Sequence, residues 1–319
     1  MNESNLIRNY LAKLVKNNPS ALNLNDDVFF DKKSKNIISV DTYVEKIHFP
    51  NFNKPDLLIK KIIRSSISDI ICKSAEPKFL LISFSGLKKN INKHNIKKIV
   101  KSIKQEQKKY NFSLVGGDTS SSKISSFTVC TFGFSKKIIK RNNLFINDDI
   151  YLTGNLGDSS IGLSLLQKKI NTDHKSKRYF INKYFMPYLP YGFHRELFKF
   201  ANSSMDISDG VLIDLKKMIG SKKLGFVIDY KKLPKSIYLI NLVKKKKIST
   251  NKHLFNGDDY QILFTAKKKY RKLINKSAKK WNQKITKIGE ICKGRGDYLK
   301  YGDKLKKIKH YQGYIHNFN

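Results

Sequence analysis

Leu114-Val115-Gly116-Gly117-Asp118-Thr119-Ser120 decides how the rest of this 319-residue chain is read. Residues 112–115 read as the end of a buried strand. Two glycines then permit positive φ and close backbone approach, and a carboxylate and a hydroxyl follow at once. A short loop of this kind at a strand end can hold a metal ion beside a phosphate, with backbone N–H groups turned to the anion. Taken alone, the stretch reads as well as an ordinary tight turn containing an Asp. Its weight comes from further Asp-bearing loops of the same style along the chain.

Upstream of it, residues 92–109 read as a Lys-rich amphipathic helix and residues 79–84 as a strand. Residues 57–73 read as a long helix with Leu58, Ile62, Ile63, Ile67, Ile70 and Ile71 as its apolar side. Ser68-Asp69 falls late in that helix, where a carboxylate opposes the local dipole and calls for a cation; Pro77 stops the segment. Residues 37–42 form a short apolar strand ending in Asp41 and Thr42, and His48 follows beside Phe49. Residues 24–30 carry the adjacent acids Asp26 and Asp27 into a strand. Neighbours on a strand face opposite ways, so only one of the two easily faces a given site. Residues 5–16 have helical apolar spacing and are expected to pack on the body. With a strand over 124–134, the alternation predicts an α/β or α+β domain.

Residues 136–147, polar and basic, read as a linker that includes Arg141. The second half restarts with a strand over 150–153. Gly154 to Ser159 open a helix, either as a plain helix start or as an anion site. Met205-Asp206-Ile207-Ser208-Asp209-Gly210 is the second strong loop: one side chain suffices to cap a helix, and three polar oxygens in four residues exceed that need. Hard oxygen ligands of this kind suit Mg2+. Strands are expected over 225–230, 261–265 and 284–292, with the turn Asn256-Gly257-Asp258-Asp259-Tyr260 before the second and Gly313-Tyr314-Ile315-His316 near the end. The run Lys244 to Lys247 is most simply solvent-exposed.

Length sets two domains as the default, divided here as 1–145 and 146–319. Hydrophobic residues at 40%, with 20 Phe and 16 Tyr, are ample for packed cores. The formal net charge of +39 comes from 64 Lys+Arg against 25 Asp+Glu. The bases are mostly Lys, spread over the whole length alongside heavy use of Asn and Ile. That pattern fits compositional bias better than a nucleic-acid-binding face. Cys72, Cys130 and Cys292 are far apart and form no CxxC, which excludes a disulfide framework or zinc site and suits a reducing cytoplasm. No apolar run of membrane-spanning length and no signal-peptide core are seen.

The candidate carboxylates are Asp26, Asp41, Asp69, Asp118, Asp206 and Asp209. No P-loop, protein-kinase set, GxSxG or HExxH is present. Many Asp without His or Cys argue for hard cations, and several hard cations argue for a nucleotide and phosphoryl transfer. Two phosphates brought together repel by roughly 4 kcal/mol per unit-charge pair at about 4 Å and an effective dielectric of about 20. Carboxylate-held Mg2+ cancels that repulsion and aligns donor with acceptor.

In this light the chain resembles the thiamine-monophosphate kinases, relatives of aminoimidazole ribonucleotide synthetase and selenophosphate synthetase. The motifs run in order along nearly the whole chain: Asn25-Asp26-Asp27-Val28, Val40 to Phe49, Ser68 to Pro77, Gly116 to Thr119, Thr153 to Leu163, Asp206 to Leu215 and Asn256 to Phe264. The resemblance implies an N-terminal α/β domain that dimerises through its sheet, a C-terminal α/β domain, and an active site in the cleft between them near the dimer partner. It implies transfer of the ATP γ-phosphoryl group to thiamine monophosphate without a covalent intermediate or a strong general base. Mg2+ would be held by Asp26, Asp41, Asp69, Asp118, Asp206 and Asp209 with the Ser39 region assisting. The nucleotide would be met by Gly117, Asp118, Arg141 and Ser208, and the substrate by His48, Asp258 and Tyr314. It further implies a cytoplasmic homodimer.

Departures from the family pattern are Asn25 for Gly, Val40 for a hydroxyl residue, Lys73-Ser74 for Met-Gly, and Asn256 and Asp258 for Gly and Glu. Aminoimidazole ribonucleotide synthetase shares the acidic loops but phosphorylates an amide oxygen. Selenophosphate synthetase wants a reactive Cys near the N-terminus, and the first here is Cys72. A nucleic-acid-binding protein leaves the loop carboxylates unexplained.

Overall fold

The computed structural model describes residues 3–314 apart from 17, 247 and 295; Lys247, Ile315 and His316 lie outside the described residues. The chain begins with α1 (Glu3–Asn9) and then builds a sheet from β1 (Phe29–Asp31), β2 (Asn36–Val44), β3 (Glu76–Gly86), β4 (Ser113–Gly116), β5 (Thr119–Ser121) and β6 (Ser126–Phe134). Its order is β1-β2-β6-β3-β4, with β5 also on β3. β4 and β5 run parallel to β3 and the remaining pairs are antiparallel. Two long helices, α2 (Pro55–Cys72) and α3 (Lys93–Tyr110), interrupt it. α2 packs on β2, β3 and β6, and α3 packs on α2.

The second half supplies β7 (Asp149–Thr153), β8 (Ala201–Asp206), β9 (Leu224–Asp229), β10 (Ile262–Ala266), β11 (Ile285–Lys293), β12 (Asp297–Tyr301) and β13 (Lys304–Lys307). These form one sheet in the order β13-β12-β9-β11-β7-β10-β8, antiparallel except for β9 with β12. Its helices are α4 (Asp158–Leu166), α5 (His174–Phe185), α6 (Val211–Ile219), α7 (Ile237–Lys246), α8 (Thr250–Leu254) and α9 (Arg271–Lys280). The fold is therefore mixed α/β with two sheets. No helix among the described residues is long and apolar enough to cross a membrane.

The period of two along β2 shows how the first sheet is used. Ile37, Ser39 and Tyr43 turn inward and are buried, whereas Val40 is exposed. Asp41 shares the inward face, so the strand delivers its carboxylate to the α2 side. The opposite face is left without a covering layer in a single copy: Val40, Phe79, Val115 and Phe134 are all exposed.

α2 is buried on nearly every side, because the second half closes over it through β8 and α5. One apolar cluster accordingly joins Ile62, Ile67 and Val129 of the first half to Phe193, Phe264 and Ile274 of the second. A second lies within the C-terminal half around Leu152, Phe180, Leu212 and Phe226.

Some expectations shift. The helix expected over 5–16 ends at Asn9, and Leu11–Val15 continues as a 3-10 turn. Tyr10 and Leu14 are exposed there, so the apolar spacing finds no core to face. Pro77 does not stop α2, which ends at Cys72 with Ser74 in the left-handed region. Pro77 sits in β3 beside a register shift, where its missing N–H is tolerated.

Phe264 stacks among Tyr151, Phe193 and Phe200 with no exposure. Phe264→Ala is expected to cost about 3–5 kcal/mol of stability. Leu14→Ala, at an exposed position, is expected to stay within about 0.5 kcal/mol. Urea unfolding of the two variants checks the contrast.

Candidate active site

Asp69 projects from the last turn of α2, Asp206 ends β8, Asp41 lies in β2, and Asp27 precedes β1. All four line one cavity of about 480 Å³ between the two halves, together with Ser208 and Asp209. Crowding shows in their acidities. Asp41 is pushed up to about 7, first by burial and then by the Asp206 charge. Asp206 is pushed up to about 6 by burial and by Asp27. Asp69 is held well above the carboxylate range by burial and by Asp41. For Asp27 burial acts upward but is outweighed by Arg141 and Lys73, and the carboxyl is lowered. These are carboxylates gathered without enough positive charge between them.

Asp206, Asp41 and Asp209 are each positioned by a short polar link. The Ser68 hydroxyl donates to Asp206 Oδ2 at 2.5 Å, and the Tyr43 hydroxyl donates to Asp41 Oδ2 at 3.2 Å. Ser39, buried beneath Asp41, donates to the Ser66 carbonyl at 3.5 Å. Lys217 Nζ lies 2.5 Å from Asp209 Oδ2. Among the described residues no three His, Cys, Asp or Glu side chains already stand as a ready ligand set. The donors nevertheless suit a hard divalent cation. They are all oxygens, and Asp27 Oδ2 is buried with no hydrogen-bond partner.

Two loops of the second half are clasped backbone to backbone. Asp258 N–H donates to the Ser208 carbonyl at 2.7 Å and Tyr260 N–H to that of Ile207 at 2.8 Å. Gly257 makes this possible: it has φ 61°, and a Cβ there would lie 2.2 Å from the Ser208 oxygen. The clasp brings Asp258 into the same cavity as Asp206 and Asp209. Lys61 of α2 meets Asp258 Oδ1 at 2.5 Å and lies over the Tyr184 ring. His48 lines the cavity from the turn after β2; its Nδ1 accepts from Val44 N–H at 2.9 Å, which leaves the neutral ring's proton on Nε2. Tyr314 donates its N–H to the Asp209 carbonyl at 2.9 Å.

A second cavity of about 620 Å³ is lined by Arg141, Ile213 and Ser221 among others, and it shares Asp209, Lys217 and Tyr314 with the first. Arg141, in the segment read as a linker, is buried rather than a surface residue. Its Nη1 donates to Asp27 Oδ1 at 2.9 Å and its backbone N–H to Asp26 Oδ2 at 3.0 Å. Of the adjacent acids it is Asp27 that faces the first cavity. Asp26 lines neither and is turned inward to Lys73, 2.5 Å away.

Gly117 and Asp118 stand apart from the rest. Asp41 pairs with Val129, Val129 with Ile82, and a Cβ on Gly117 would lie 1.9 Å from the Ile82 oxygen. That places Asp118 about three strand spacings from Asp41, roughly 14 Å. Asp118 is exposed, and its carboxylate accepts from its neighbour Thr119 N–H at 2.8 Å. The loop that reads most clearly in the sequence is thus outside the cavity of its own chain. Lys61 and Lys217, which line the site, carry no motif that separates them from the other lysines, and Lys73, which backs it, stood out in the sequence only as a departure from the family pattern.

Profiles of two families match the chain: AIR synthase related protein, N-terminal domain, over residues 24–135, and AIR synthase related protein, C-terminal domain, over residues 146–302. The thiamine-monophosphate kinase of Buchnera aphidicola subsp. Acyrthosiphon pisum is 32% identical over 98% of each chain. That of Buchnera aphidicola subsp. Schizaphis graminum is 34% identical over 91% of each. Among solved structures, AaThiL complexed with AMPPCP and TMP superposes with a TM-score of 0.81 at 26% identity, covering 96% of this chain and 98% of that one. With motifs, fold and near full-length likeness in agreement, the chain belongs to the AIR synthase related family and, within it, to the thiamine-monophosphate kinases.

Proposed function

We propose that the chain transfers the γ-phosphoryl group of ATP to the phosphate of thiamine monophosphate, giving thiamine diphosphate. The observation that carries this is the buried carboxylate cluster at the floor of a cleft that opens into two joined cavities. Likeness to AaThiL complexed with AMPPCP and TMP, an ATP analogue beside an acceptor, supports the donor and acceptor pair. The division into domains 1–145 and 146–319 fits this use, with the cleft between them.

Asp27, Asp41, Asp69, Asp206 and Asp209 are the residues best placed to hold Mg2+. When bound, such cations neutralise the phosphates and hold attacking and leaving oxygens in line. His48, Asp258 and Tyr314 face the acceptor, while Ser208 and Arg141 serve the nucleotide. Lys217, where the cavities meet, adds a fixed positive charge beside the transferring group. The acceptor phosphate, with a second pKa of about 6, is already ionised at neutral pH, so no general base is required.

We further propose a cytoplasmic homodimer. The three cysteines are free, in keeping with a reducing compartment. The uncovered apolar face of the first sheet is the pairing surface, an exposed patch of the kind that marks an interface. Pairing there gives Gly117 and Asp118 a role, because they then serve the cavity of the second copy.

Asp206→Asn is expected to lower turnover of Mg-ATP and thiamine monophosphate by about 10²-fold or more, with formylglycinamidine ribonucleotide giving no product in the wild type. Undiminished turnover in that variant defeats the assignment. Asp118→Asn and Asp206→Asn chains, each inactive alone, are expected to recover about a quarter of wild-type activity when mixed as subunits, since half the dimers then hold one intact site. No recovery places Asp118 in its own chain's site.

The pH dependence has a definite sign. Asp41 and Asp206 have raised folded-state pKa values, so between about 4 and about 7 the folded chain keeps protons the unfolded chain has released. Metal-free stability from these groups is therefore present at low pH and lost as pH rises through that window. Mg2+ is expected to stabilise the protein at pH 8 by about 2.7 kcal/mol at a hundredfold excess over its Kd, and much less at pH 5. Thermal unfolding at the two pH values checks this; equal effects count against the cluster as the cation site.

A further inference from the structure

The first cavity is elongated, and α2 measures it. Lys61, Ser65 and Asp69 stand at every fourth residue on one face of that helix and all line the cavity. The wall therefore runs about 12 Å from the carboxylates to Lys61. At the Lys61 end the second half supplies a balanced ion pair and neutral groups. Asp258, paired with Lys61, also accepts from the Ser159 hydroxyl at 3.4 Å. The next residue of α4, Ser160, enters the lining together with Leu163 one turn on and Asn256 from the turn between α8 and β10. Asn256 is exposed, while Ser160 and His253 are buried. The three are joined in one line. Asn256 Nδ2 donates to Ser160 Oγ at 3.2 Å, and Ser160 Oγ lies 3.0 Å from His253 Nδ1. Burial and then the neighbouring Lys252 push the His253 imidazole down, so the ring is neutral at neutral pH and keeps one nitrogen as an acceptor. The Ser160 hydroxyl, accepting from the amide, sends its own hydrogen to that nitrogen. This line fixes the amide's orientation. Its nitrogen is turned to α4, and Oδ1 makes no hydrogen bond among the described residues. The glycine that the family pattern has at this position offers no such group.

We propose that Asn256 is a specificity-determining residue of the acceptor site: its Oδ1 accepts a hydrogen bond from the amino group on the acceptor's pyrimidine ring, and Ser160 and His253 are positioning residues that keep this oxygen turned to the cavity. The inference rests on the reading of the acceptor as thiamine monophosphate. With the phosphate of that molecule at the carboxylates, its pyrimidine is the part farthest from the reaction. The Lys61 end of the cavity matches that ring in chemistry. Leu163 and Tyr260, whose ring lies 5.4 Å from Lys61 Nζ, offer apolar and aromatic surface to a flat heterocycle, and Oδ1 is an acceptor for the amino donor. An analogue with a carbonyl oxygen in place of the amino group sets acceptor against acceptor and is disfavoured. The contact lies about 12 Å along α2 from the transferring group. It is made alike in the ground and transition states, so it acts on KM rather than kcat.

The test is steady-state kinetics at saturating Mg-ATP with thiamine monophosphate and with its analogue bearing a carbonyl oxygen in place of the ring amino group. Asn256→Gly is expected to raise the KM for thiamine monophosphate about tenfold, the worth of one hydrogen bond. Its kcat and its KM for ATP are expected to stay at the wild-type values, and most of the wild type's preference for the amino compound is expected to be lost. Ser160→Ala is expected to raise the same KM by a smaller factor and to add nothing in the double variant with Asn256→Gly, because it acts only through the amide. An unchanged KM and an unchanged preference in Asn256→Gly overturn the proposal alone, as does a fall in kcat with KM unchanged. Additive effects in the double variant overturn the positioning role given to Ser160 and His253. Wild-type turnover of neither compound removes the acceptor reading, and this proposal with it.

Discussion

A helix buried on nearly every side cannot carry charge inward unless each charge is answered, and α2 carries several charged and polar groups. Lys61, Arg64, Ser66, Ser68 and Lys73 are almost completely removed from solvent. Each finds a partner. Arg64 is paired with Glu106, Lys73 with Asp26 and Ser66 with Tyr43 inside the first half, and the other half adds Asp258 for Lys61, the Pro187 carbonyl for Arg64, Asp206 for Ser68 and the Ser204 carbonyl for Lys73. Leaving one such group unanswered costs several kcal/mol. The two halves are thereby held in a definite relation, and the acidic residues of β2, α2, β8 and the loop before α6 meet along one seam. The cleft follows from satisfying a buried polar helix.

Charge is distributed against the overall balance. A chain with a net charge of +39 keeps its floor acidic by burying carboxylates faster than it buries bases. The bases that do approach have separate posts: Arg141 and Lys73 behind Asp27, Lys217 beside Asp209, Lys61 on Asp258. None of them bridges Asp41, Asp69 and Asp206, whose mutual repulsion remains, and that is the condition under which a small hard cation is held strongly. The surrounding positive surface keeps the excess away from the floor while favouring anionic substrates at long range.

Much of the architecture was legible because local patterns agree with tertiary ones. The apolar strands read over 37–42 and 124–134 and the apolar stripe of 57–73 became β2, β6 and α2 with small shifts at their ends. The loops at Asp206 and Asp258 could be recognised because the turns need their glycines. What was not legible depends on distant neighbours. Gly117 and Asp118 read as the centre of the site, yet strand order sets them at the far side of β3, and strand order is not written in any local stretch. Asp26 and Asp27 differ only in which way each faces, settled by Arg141 and Lys73 from remote parts of the chain. Arg141 sits in a polar segment that looks like a linker, and its burial arises because that segment runs past the turn before β1. Lys61 and Lys217 are lost among the 64 basic residues because burial, not identity, distinguishes them.

The crowded acids Asp41 and Asp206 have one more consequence. Near neutrality they hold protons that an incoming metal would have to evict, so in the proposed use of the cleft ion capture and proton release would be a single exchange. Loading would then acidify the surroundings, and its heat would vary with the ionisation enthalpy of the buffer. Acidification of the medium would in turn oppose loading, so that proton activity would set how much of the protein is competent at any moment.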